Sequence, residues 1–163
     1  FDEAELSVKN FIKKIMSNKS GRSVDYYHRK LGKIMWNKCG MSRNAKDLKN
    51  AIKEIKKLRQ DFYSGVFVPG KADGYNEELA KAGRVSDFLE LGELFAIDAL
   101  ERNESCGGHF REEYQTPEGE ALRNDEEFSF VSCWQYMGEN KEPKLNKERL
   151  TFDSVELKSR SYK

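Results

Sequence analysis

Apolar residues recur at intervals of three and four along the first hundred residues, which is the spacing of amphipathic α-helices. Four such stretches are separated by short polar segments. Their apolar positions are Val8, Phe11, Ile12 and Ile15; then Val24, Tyr27, Leu31, Ile34 and Met35; then Leu48, Ala51, Ile52, Ile55 and Phe62; and finally Leu79, Ala82, Phe88, Leu89, Phe95, Ala96 and Ala99. Helices joined by short loops predict an antiparallel bundle of three to four helices over residues 1–104.

Residues that favour helix ends stand at the borders of these stretches. Ser23, Asn44 and Asn76 each precede a helical pattern, where such side chains accept a hydrogen bond from the first turn. Gly40 follows the second pattern, and we expect it to close that helix in the left-handed conformation. The fourth stretch also carries small residues that would let another helix or domain approach closely: Ala80, Gly83 and Gly92.

The periodic pattern ends with the fourth stretch, and a charged, glycine-containing loop follows over residues 105–127. A loop of this length is usually functional or packed against another element. Residues 128–163 predict a small β-hairpin with an extended tail. Its first strand is expected in Phe128–Met137 and its second in Arg149–Leu157, while the residues from Gly138 to Lys147 are interpreted as turn and solvated sequence. The fold class is therefore mainly α, with all three segments in one domain.

Composition limits the classes of function. The 29 Lys and Arg nearly balance the 28 Asp and Glu. A net charge of +1 does not indicate the excess of positive charge that binding to nucleic acid or to an anionic membrane requires. The three cysteines lie far apart, which indicates a reducing compartment rather than a disulfide scaffold. The third helix carries a lysine row that we interpret as a solvated face, because no aromatic residues interleave it: Lys46, Lys49, Lys53, Lys56 and Lys57.

The densest group of chemically active residues runs from Arg102 to Tyr114, around a Gly-Gly pair. A nucleophile pair of Cys106 and His109 is conceivable, since a nearby imidazolium lowers a thiol pKa, but no third orienting group is identifiable. A zinc site would need a second Cys–His cluster, and a phosphate loop would need a following helix with Lys-Ser/Thr. The sequence shows neither, so we favour a structural interpretation in which the glycines allow a tight turn and ion pairs hold the loop, through Arg102, Arg111 and Glu113.

Three further residues receive structural interpretations. Trp36 and Trp134 are expected to be packing anchors rather than parts of a ligand site. His28, beside two tyrosines on the second helix, is expected to be a surface or partly buried polar residue.

Two motifs resemble a known family. The segment ERNESCGGHFREEY at Glu101–Tyr114, followed by RNDEEF at Arg123–Phe128, is similar to the E-S-R-G-x-H-x-R-x-D-(Y/F)-P and R-(D/N)-D motifs of the succinate dehydrogenase and fumarate reductase flavoprotein subunit. These motifs lie in the C-terminal part of that subunit. The stretch from Met35 to Asn44 resembles the family's M-W-x-x-x-G-x-x-R-N, and Arg160–Lys163 resembles its basic-aromatic C-terminus. The resemblance covers essentially the whole chain.

The chain departs from the family pattern at several positions of the loop. Cys106 stands where most members have Arg, Glu113 where most have Asp, and Gln115 where many have Pro. The segment Gln115–Glu120 lengthens the loop. Because Cys cannot replace the anion-binding fork of Arg, any ionic role that the family gives this position does not carry over to Cys106.

The resemblance implies an enzyme that interconverts succinate and fumarate by hydride transfer at FAD. Electrons would pass to the iron–sulfur clusters of a partner subunit and then to a membrane anchor that handles quinone. The chain shows no G-x-G-x-x-G after a strand and starts at Phe1, so we expect a fragment that holds no catalytic, cofactor-binding or metal-binding residue. Residues expected to contact the N-terminal flavin domain or the iron–sulfur subunit are Arg102, Glu104, His109, Arg111, Arg123 and Asp125.

The resemblance also implies a location and leaves two alternatives. The subunit would lie peripherally on the cytoplasmic side of the bacterial inner membrane, attached through the other subunits of its complex. No nucleic-acid partner is expected. The C-terminal domain of an L-aspartate oxidase is one alternative, since that relative shares the E-S-R-G-x-H core. The other is a stand-alone helical binding module that would use Trp134, Tyr136 and the lysine face.

Overall fold

The computed structural model describes residues 1–138 and 141–158 of the chain. Three long helices, α2, α3 and α4, pack against one another, while α1 lies against α3 and the short strand that follows it. The helices are α1 (Asp2–Met16), α2 (Val24–Cys39), α3 (Ala45–Gly65), α4 (Glu77–Glu101) and the short α5 (Asp125–Phe128), and the strands are β1 (Arg22–Ser23), β2 (Val66–Phe67), β3 (Phe130–Gln135) and β4 (Lys144–Arg149). The mainly α class with a C-terminal hairpin is confirmed.

The hydrophobic core lies between α2, α3 and α4. The predicted stripes of α2 and α3 supply most of it, and Leu48, Ile55 and Phe62 of α3 are fully buried. From α1 only Ile15 is fully buried, because Val8 and the rest of the first turns point into solvent. Removal of these apolar surfaces from water is the main force that holds the bundle together.

The helix ends follow the predicted caps with one exception. Ser23 accepts a hydrogen bond from the Tyr26 N–H at 3.2 Å, and Asn44 and Asn76 make the equivalent contacts at the starts of α3 and α4. The left-handed conformation expected at Gly40 is wrong, since its φ is −71°. A Cβ atom at Gly40 would lie 2.7 Å from the Trp36 carbonyl oxygen, so the position needs glycine for space instead.

A short parallel ladder that the sequence did not predict joins β1 to β2. It pairs Arg22 with Val66 and Ser23 with Phe67, and so fixes the start of α2 beside the end of α3. A Cβ atom at Gly21 would lie 2.1 Å from the Gly65 carbonyl oxygen, which shows how closely the two backbones approach. Two-residue strands carry too little pattern to be recognised from sequence.

The hairpin is present, but its second strand is displaced from the prediction. β4 occupies Lys144–Arg149, which includes residues interpreted as solvated, and pairs antiparallel with β3 so that Leu145 faces Trp134. The apolar residues that suggested a strand over 149–157 are exposed: Leu150, Phe152, Val155 and Leu157. Only Leu145 of β4 is partly buried, so the real strand shows no alternation. The motif at Arg160–Lys163 and part of the predicted turn lie outside the described residues.

Candidate functional site

The charged loop after α4 folds back onto the connection between α2 and α3. The Arg43 N–H donates to the Phe110 carbonyl at 3.1 Å, and the Glu112 N–H donates to the Arg43 carbonyl at 2.8 Å. Cys106 and His109 exchange two backbone hydrogen bonds around a tight turn, in which Gly107 adopts the left-handed conformation with φ of +59°. The expectation that the glycines permit a tight turn is confirmed. We call the ionisable side chains fixed by this loop the loop cluster: Arg43, Arg102, Glu104, His109, Arg111, Glu113, Arg123 and Asp125.

Arg111 closes the C-terminal end of α4. Its Nη1 donates to the carbonyls of Ala99 and Leu100 at 3.0 and 3.1 Å, and its Nε donates to Glu113 at 3.0 Å. The residue is only 2% exposed. The last carbonyls of a helix lack partners within the helix and carry partial negative charge, so a buried guanidinium satisfies both their hydrogen bonds and their dipole.

Glu113 extends these contacts from the C-terminus of α4 to the N-terminus of α3. Its carboxylate accepts a hydrogen bond from the Ala45 N–H in the first turn of α3. Burial alone would raise the pKa of Glu113, but hydrogen bonds from backbone N–H groups and from Arg111 hold that pKa below its ordinary value. The Arg111–Glu113 ion pair therefore joins the C-terminus of α4 to the N-terminus of α3.

His109 is held in one protonation state by its two neighbours. Its Nε2 donates to the Arg102 carbonyl at 3.0 Å, and its Nδ1 lies 2.9 Å from Nη1 of Arg43. Arginine only donates, so Nδ1 must be an acceptor and the ring is neutral. Burial, together with the charges of Arg43 and Arg111, lowers the pKa of His109, and the hydrogen bond to the Arg102 carbonyl opposes this only in part. Both ring nitrogens are used, so the imidazole has no free position to activate Cys106 as a nucleophile.

Arg102 connects the bundle to the C-terminal hairpin. Its guanidinium lies 2.7 Å from Glu104 and donates to the carbonyls of Phe128 and Phe130, both at 3.1 Å. The rings of both phenylalanines also lie within 6 Å of the guanidinium. The other oxygen of the buried Glu104 accepts from the Asn124 N–H at 2.9 Å, at the start of α5. This pair therefore fixes where the hairpin leaves the loop.

Arg123 and Asp125 form the outer part of the loop cluster. Two guanidinium nitrogens of Arg123 contact the same Asp125 oxygen, at 2.7 and 3.0 Å, and the hydrogen bond to that carboxylate raises the pKa of Arg123. A third nitrogen donates to the Lys158 carbonyl at 3.0 Å, which ties the tail to the loop. Both side chains are partly exposed.

The structure brings all six candidate contact residues into one cluster with partners inside the chain. The predicted ion pairing of the loop is confirmed, with Arg111 on Glu113 and Arg102 on Glu104. Sequence reasoning missed the part played by Arg43, although the resemblance at Met35–Asn44 includes it. It also missed the fully buried Ser105, whose hydroxyl accepts from the Arg111 N–H at 2.8 Å. Within residues 1–138 and 141–158, no group of three or more His, Cys, Asp or Glu side chains is arranged to hold a metal ion.

The two tryptophans differ from each other. Trp134 is a packing anchor as expected, and its Nε1 donates to Asp98 of α4 at 2.7 Å. The same expectation for Trp36 is wrong, because its side chain is 84% exposed. The buried face of α2 runs through Tyr27, Leu31 and Ile34, and Trp36 lies off that face.

A shallow groove of about 310 Å³ separates α2 from α4 on the surface. It is lined by His28, Leu31, Gly32, Met35, Phe88, Leu91, Gly92 and Phe95. At Gly92 the two helices come close enough that a Cβ atom would lie 3.3 Å from Leu31, so here the expected close approach at a small residue occurs within the domain. His28 is exposed, and its ring lies 5.8 Å from that of Phe88.

The chain matches a family of known proteins over most of its length. The model of the fumarate reductase flavoprotein C-terminal region matches residues 28–162. The fumarate reductase flavoprotein subunit of Helicobacter pylori is 28% identical over 146 residues, which are 88% of this chain and 19% of that protein. The chain therefore spans about a fifth of the length of the curated relatives it matches.

Two solved structures share the fold. Quinol-fumarate reductase with menaquinol molecules gives a TM-score of 0.78 at 19% identity, over 94% of this chain and 26% of that one. The Sdh1 complex of Mycobacterium smegmatis in the apo form gives 0.75 at 19% identity, over 95% of this chain and 25% of that one. Among residues 1–138 and 141–158, none of the helices combines the length and the hydropathy of a membrane-spanning segment.

Proposed function

The chain belongs to the family of fumarate reductase flavoprotein C-terminal domains, and from this we propose that it serves an enzyme that interconverts succinate and fumarate. It is the helical C-terminal domain of a succinate dehydrogenase or fumarate reductase flavoprotein subunit. The observation that carries the proposal is the family match over residues 28–162, which includes the loop cluster. Nothing in these likenesses favours an L-aspartate oxidase.

In this proposal the reaction takes place outside the chain. FAD, which supplies the hydride chemistry, is bound by the N-terminal flavin domain of the longer subunit. The loop cluster does not fit a flavin, because its inner guanidinium groups already have partners: the half-buried Arg102 contacts Glu104 and two carbonyls, and the buried Arg111 contacts Glu113 and the end of α4. The turn at Gly107 is also not followed directly by a helix, so it presents no helix N-terminus to a phosphate. The isolated chain is accordingly proposed to be inactive.

The contribution of the chain itself is mechanical. Residues 1–104, 105–127 and 128–163 act as one domain, in which the loop cluster fixes the ends of α3 and α4 and the base of the hairpin. Its outer members, Arg123 and Asp125, remain partly exposed and are placed to meet the flavin domain or the iron–sulfur subunit. The buried members, Glu104 and Arg111, act by holding that surface in shape.

The partners follow from the same family assignment. The flavoprotein subunit passes electrons to the clusters of an iron–sulfur subunit, which hands them to a membrane anchor and quinone. The complex would lie peripherally on the cytoplasmic side of the bacterial inner membrane. Purification of the tagged flavoprotein from membranes should therefore recover an iron–sulfur protein, and recovery of the flavoprotein alone from every fraction would contradict this part.

The direct test is to express the chain together with the coding sequence upstream of Phe1. The longer polypeptide should show flavin absorbance and should transfer electrons between a dye and succinate or fumarate. The 163-residue chain alone should show neither property. A longer polypeptide without flavin, or one that oxidises L-aspartate and does not respond to succinate or fumarate, would refute the proposal.

A further inference from the structure

Positive charge is concentrated in the α2–α3 part of the chain. Residues 22–65 hold 12 Lys and Arg against 4 Asp and Glu, while the rest of the chain holds 17 against 24. The net charge of +1 therefore combines two parts of opposite sign. An uneven distribution of this kind creates a local potential that attracts an oppositely charged partner, whatever the total charge is.

A cleft of about 560 Å³ lies between α2 and α3 in this positively charged part. Arg22 of β1 lies at one end of the cleft, and Lys30 of α2 and Lys57 of α3 line its two sides. Lys33 follows Lys30 by three residues and Lys53 precedes Lys57 by four, so each extends a row of cations along the same side of its helix. We call these residues and the space between them the basic cleft: Arg22, Lys30, Lys33, Lys53 and Lys57.

The five cations of the basic cleft have no carboxylate partners. All five are exposed and, among the described residues, none of them forms an ion pair. The guanidinium of Arg22 lies 5.1 Å from the centre of the Tyr26 ring, a cation–π contact that favours its position at the end of the cleft. Like charges along one cleft repel one another, so an anionic ligand would remove part of that repulsion on binding.

Two carboxylates limit the kind of anion that the cleft can take. Glu54 and Asp61 also line it. Lys38 lies 3.1 Å from Glu54 and neutralises it, so Asp61 remains as one negative charge among the five cations. A nucleic acid carries a phosphate at every nucleotide and would bring negative charge against Asp61. A protein segment can place an uncharged hydrogen-bond donor at that position and carboxylates at the others.

A lipid surface does not fit the cleft. Its aliphatic lining residues, Ile34 and Leu58, are buried beneath the cations. Binding to a membrane surface usually combines basic residues with apolar side chains that enter the bilayer, and the cleft offers no exposed aliphatic side chain. A concave site between two helices also matches an extended chain better than a flat surface.

We propose that the basic cleft binds an acidic segment of a separate protein. The inference goes beyond the proposed function and does not depend on it. α2 has 16 residues. A helix of that length extends about 24 Å, which an extended segment of about seven residues would span. Carboxylates along that segment would face the rows of cations on both sides, and charge complementarity of this kind gives a partner its specificity and its rate of association.

Fluorescence anisotropy tests the binding, with a fluorescein-labelled peptide of four Glu-Ser repeats as the probe and four Gln-Ser repeats as the uncharged control. The protein is the tagged full-length subunit, purified from its own cells with the proteins that remain bound to it. We expect the Glu-Ser peptide to bind at least tenfold more tightly than the Gln-Ser peptide. Raising the salt from about 0.1 M to about 1 M shortens the screening length from about 10 Å to about 3 Å and should weaken binding at least tenfold. No binding, as from a cleft that other parts of the protein cover, or equal binding of both peptides would overturn the inference.

Two pairs of substitutions separate the cleft from the charge of the whole protein. Lys30→Gln with Lys57→Gln removes one cation from each side of the cleft. Lys13→Gln with Lys144→Gln removes two exposed lysines from α1 and β4, with the same change in net charge. We expect the first pair to weaken binding of the Glu-Ser peptide at least fivefold and the second pair less than twofold. Equal effects of the two pairs would overturn the inference.

Cross-linking locates the peptide without any substitution. A carbodiimide joins a carboxylate of the bound peptide to a nearby lysine amine, and mass spectrometry then identifies the modified lysine. We expect the cross-links to concentrate on the lysines of the basic cleft: Lys30, Lys33, Lys53 and Lys57. Cross-links found mainly on lysines outside the cleft would overturn the inference.

The other anionic partners are tested with the same variants. An oligouridylate RNA and vesicles of phosphatidylglycerol are titrated in place of the peptide. Tighter binding of either one than of the Glu-Ser peptide, lost in the Lys30→Gln and Lys57→Gln pair, would assign the cleft to nucleic acid or to a membrane and overturn the inference. Binding of the peptide in preference to both is the expected result.

Discussion

Removal of the Arg111 guanidinium is expected to be the most damaging single change in the loop cluster. Arg111→Ala would leave the carbonyls of Ala99 and Leu100 and the Glu113 carboxylate without their shared donor, in a site where Arg111 is only 2% exposed. Each hydrogen bond to a charged group contributes about 1.5–3 kcal/mol. The ion pair itself adds less than about 1 kcal/mol, because the Glu113 side chain is 39% exposed and solvent screens it. These contributions overlap, since one guanidinium makes them all.

We therefore expect Arg111→Ala to lower the free energy of unfolding by about 4 kcal/mol. A domain of this size is stable by about 5–15 kcal/mol in total, so the loss is a large fraction of it. At about 2–4 °C per kcal/mol for a chain of this length, the melting temperature should fall by roughly 12 °C. Urea unfolding followed by far-ultraviolet circular dichroism measures the change, which should lower the midpoint and leave the slope unaltered.

Arg123→Ala is the matched control within the same loop. Its ion pair with Asp125 is partly exposed on both sides, so solvent screens it and its loss should cost less than about 1 kcal/mol. If Arg111→Ala costs no more than Arg123→Ala, the guanidinium does not cap α4 and the structural role assigned to the loop cluster fails.

Three other measurements probe the remaining contacts. Because burial lowers the pKa of His109, the unfolded chain binds a proton at this ring more tightly than the folded chain does. The stability from the neutral ring is complete above about pH 6.5 and is lost as the pH falls below that value, so His109→Gln should flatten the pH dependence of the unfolding free energy below about pH 6.5. An unchanged slope would contradict this. Gly32→Ala, where a Cβ atom meets nothing within 4 Å, should stabilise α2 by about 0.5–1 kcal/mol, whereas Gly92→Ala should lose that gain against the neighbouring leucine; equal melting temperatures would contradict the contrast. Trp134→Phe should cost about 1 kcal/mol through the lost hydrogen bond to Asp98, measured by urea unfolding, and no cost would show that the indole does not hold the hairpin.

The helices were predictable because their signals are local. Ser23, Asn44 and Asn76 cap the helices they precede, and the stripes on α2 and α3 form the core. The helical spacing of apolar residues identifies an apolar face of a helix but does not determine which element packs against that face. The same pattern that buries Leu89 leaves Phe88 half exposed, since both lie on the broad apolar side of α4.

Most residues of the loop cluster could be predicted from the sequence, but Arg43 and the contacts between the side chains could not. The density of charge and the family resemblance identified Arg102, His109 and Arg111. The contact between Arg43 and His109 joins residues 66 positions apart, and no local pattern encodes such a pair. The position of β4 was missed for a related reason: its place is set by pairing with β3, and its own residues show no apolar alternation.

The central claim is that this domain supports the enzyme by structure and takes no part in its chemistry. It is tested most directly by turnover per bound flavin in the full-length subunit that carries His109→Ala or Arg111→Ala. The account predicts a lower yield of assembled, flavin-loaded complex and an unchanged turnover for each flavin that remains. A normal yield of complex with a slowed turnover per flavin would contradict it.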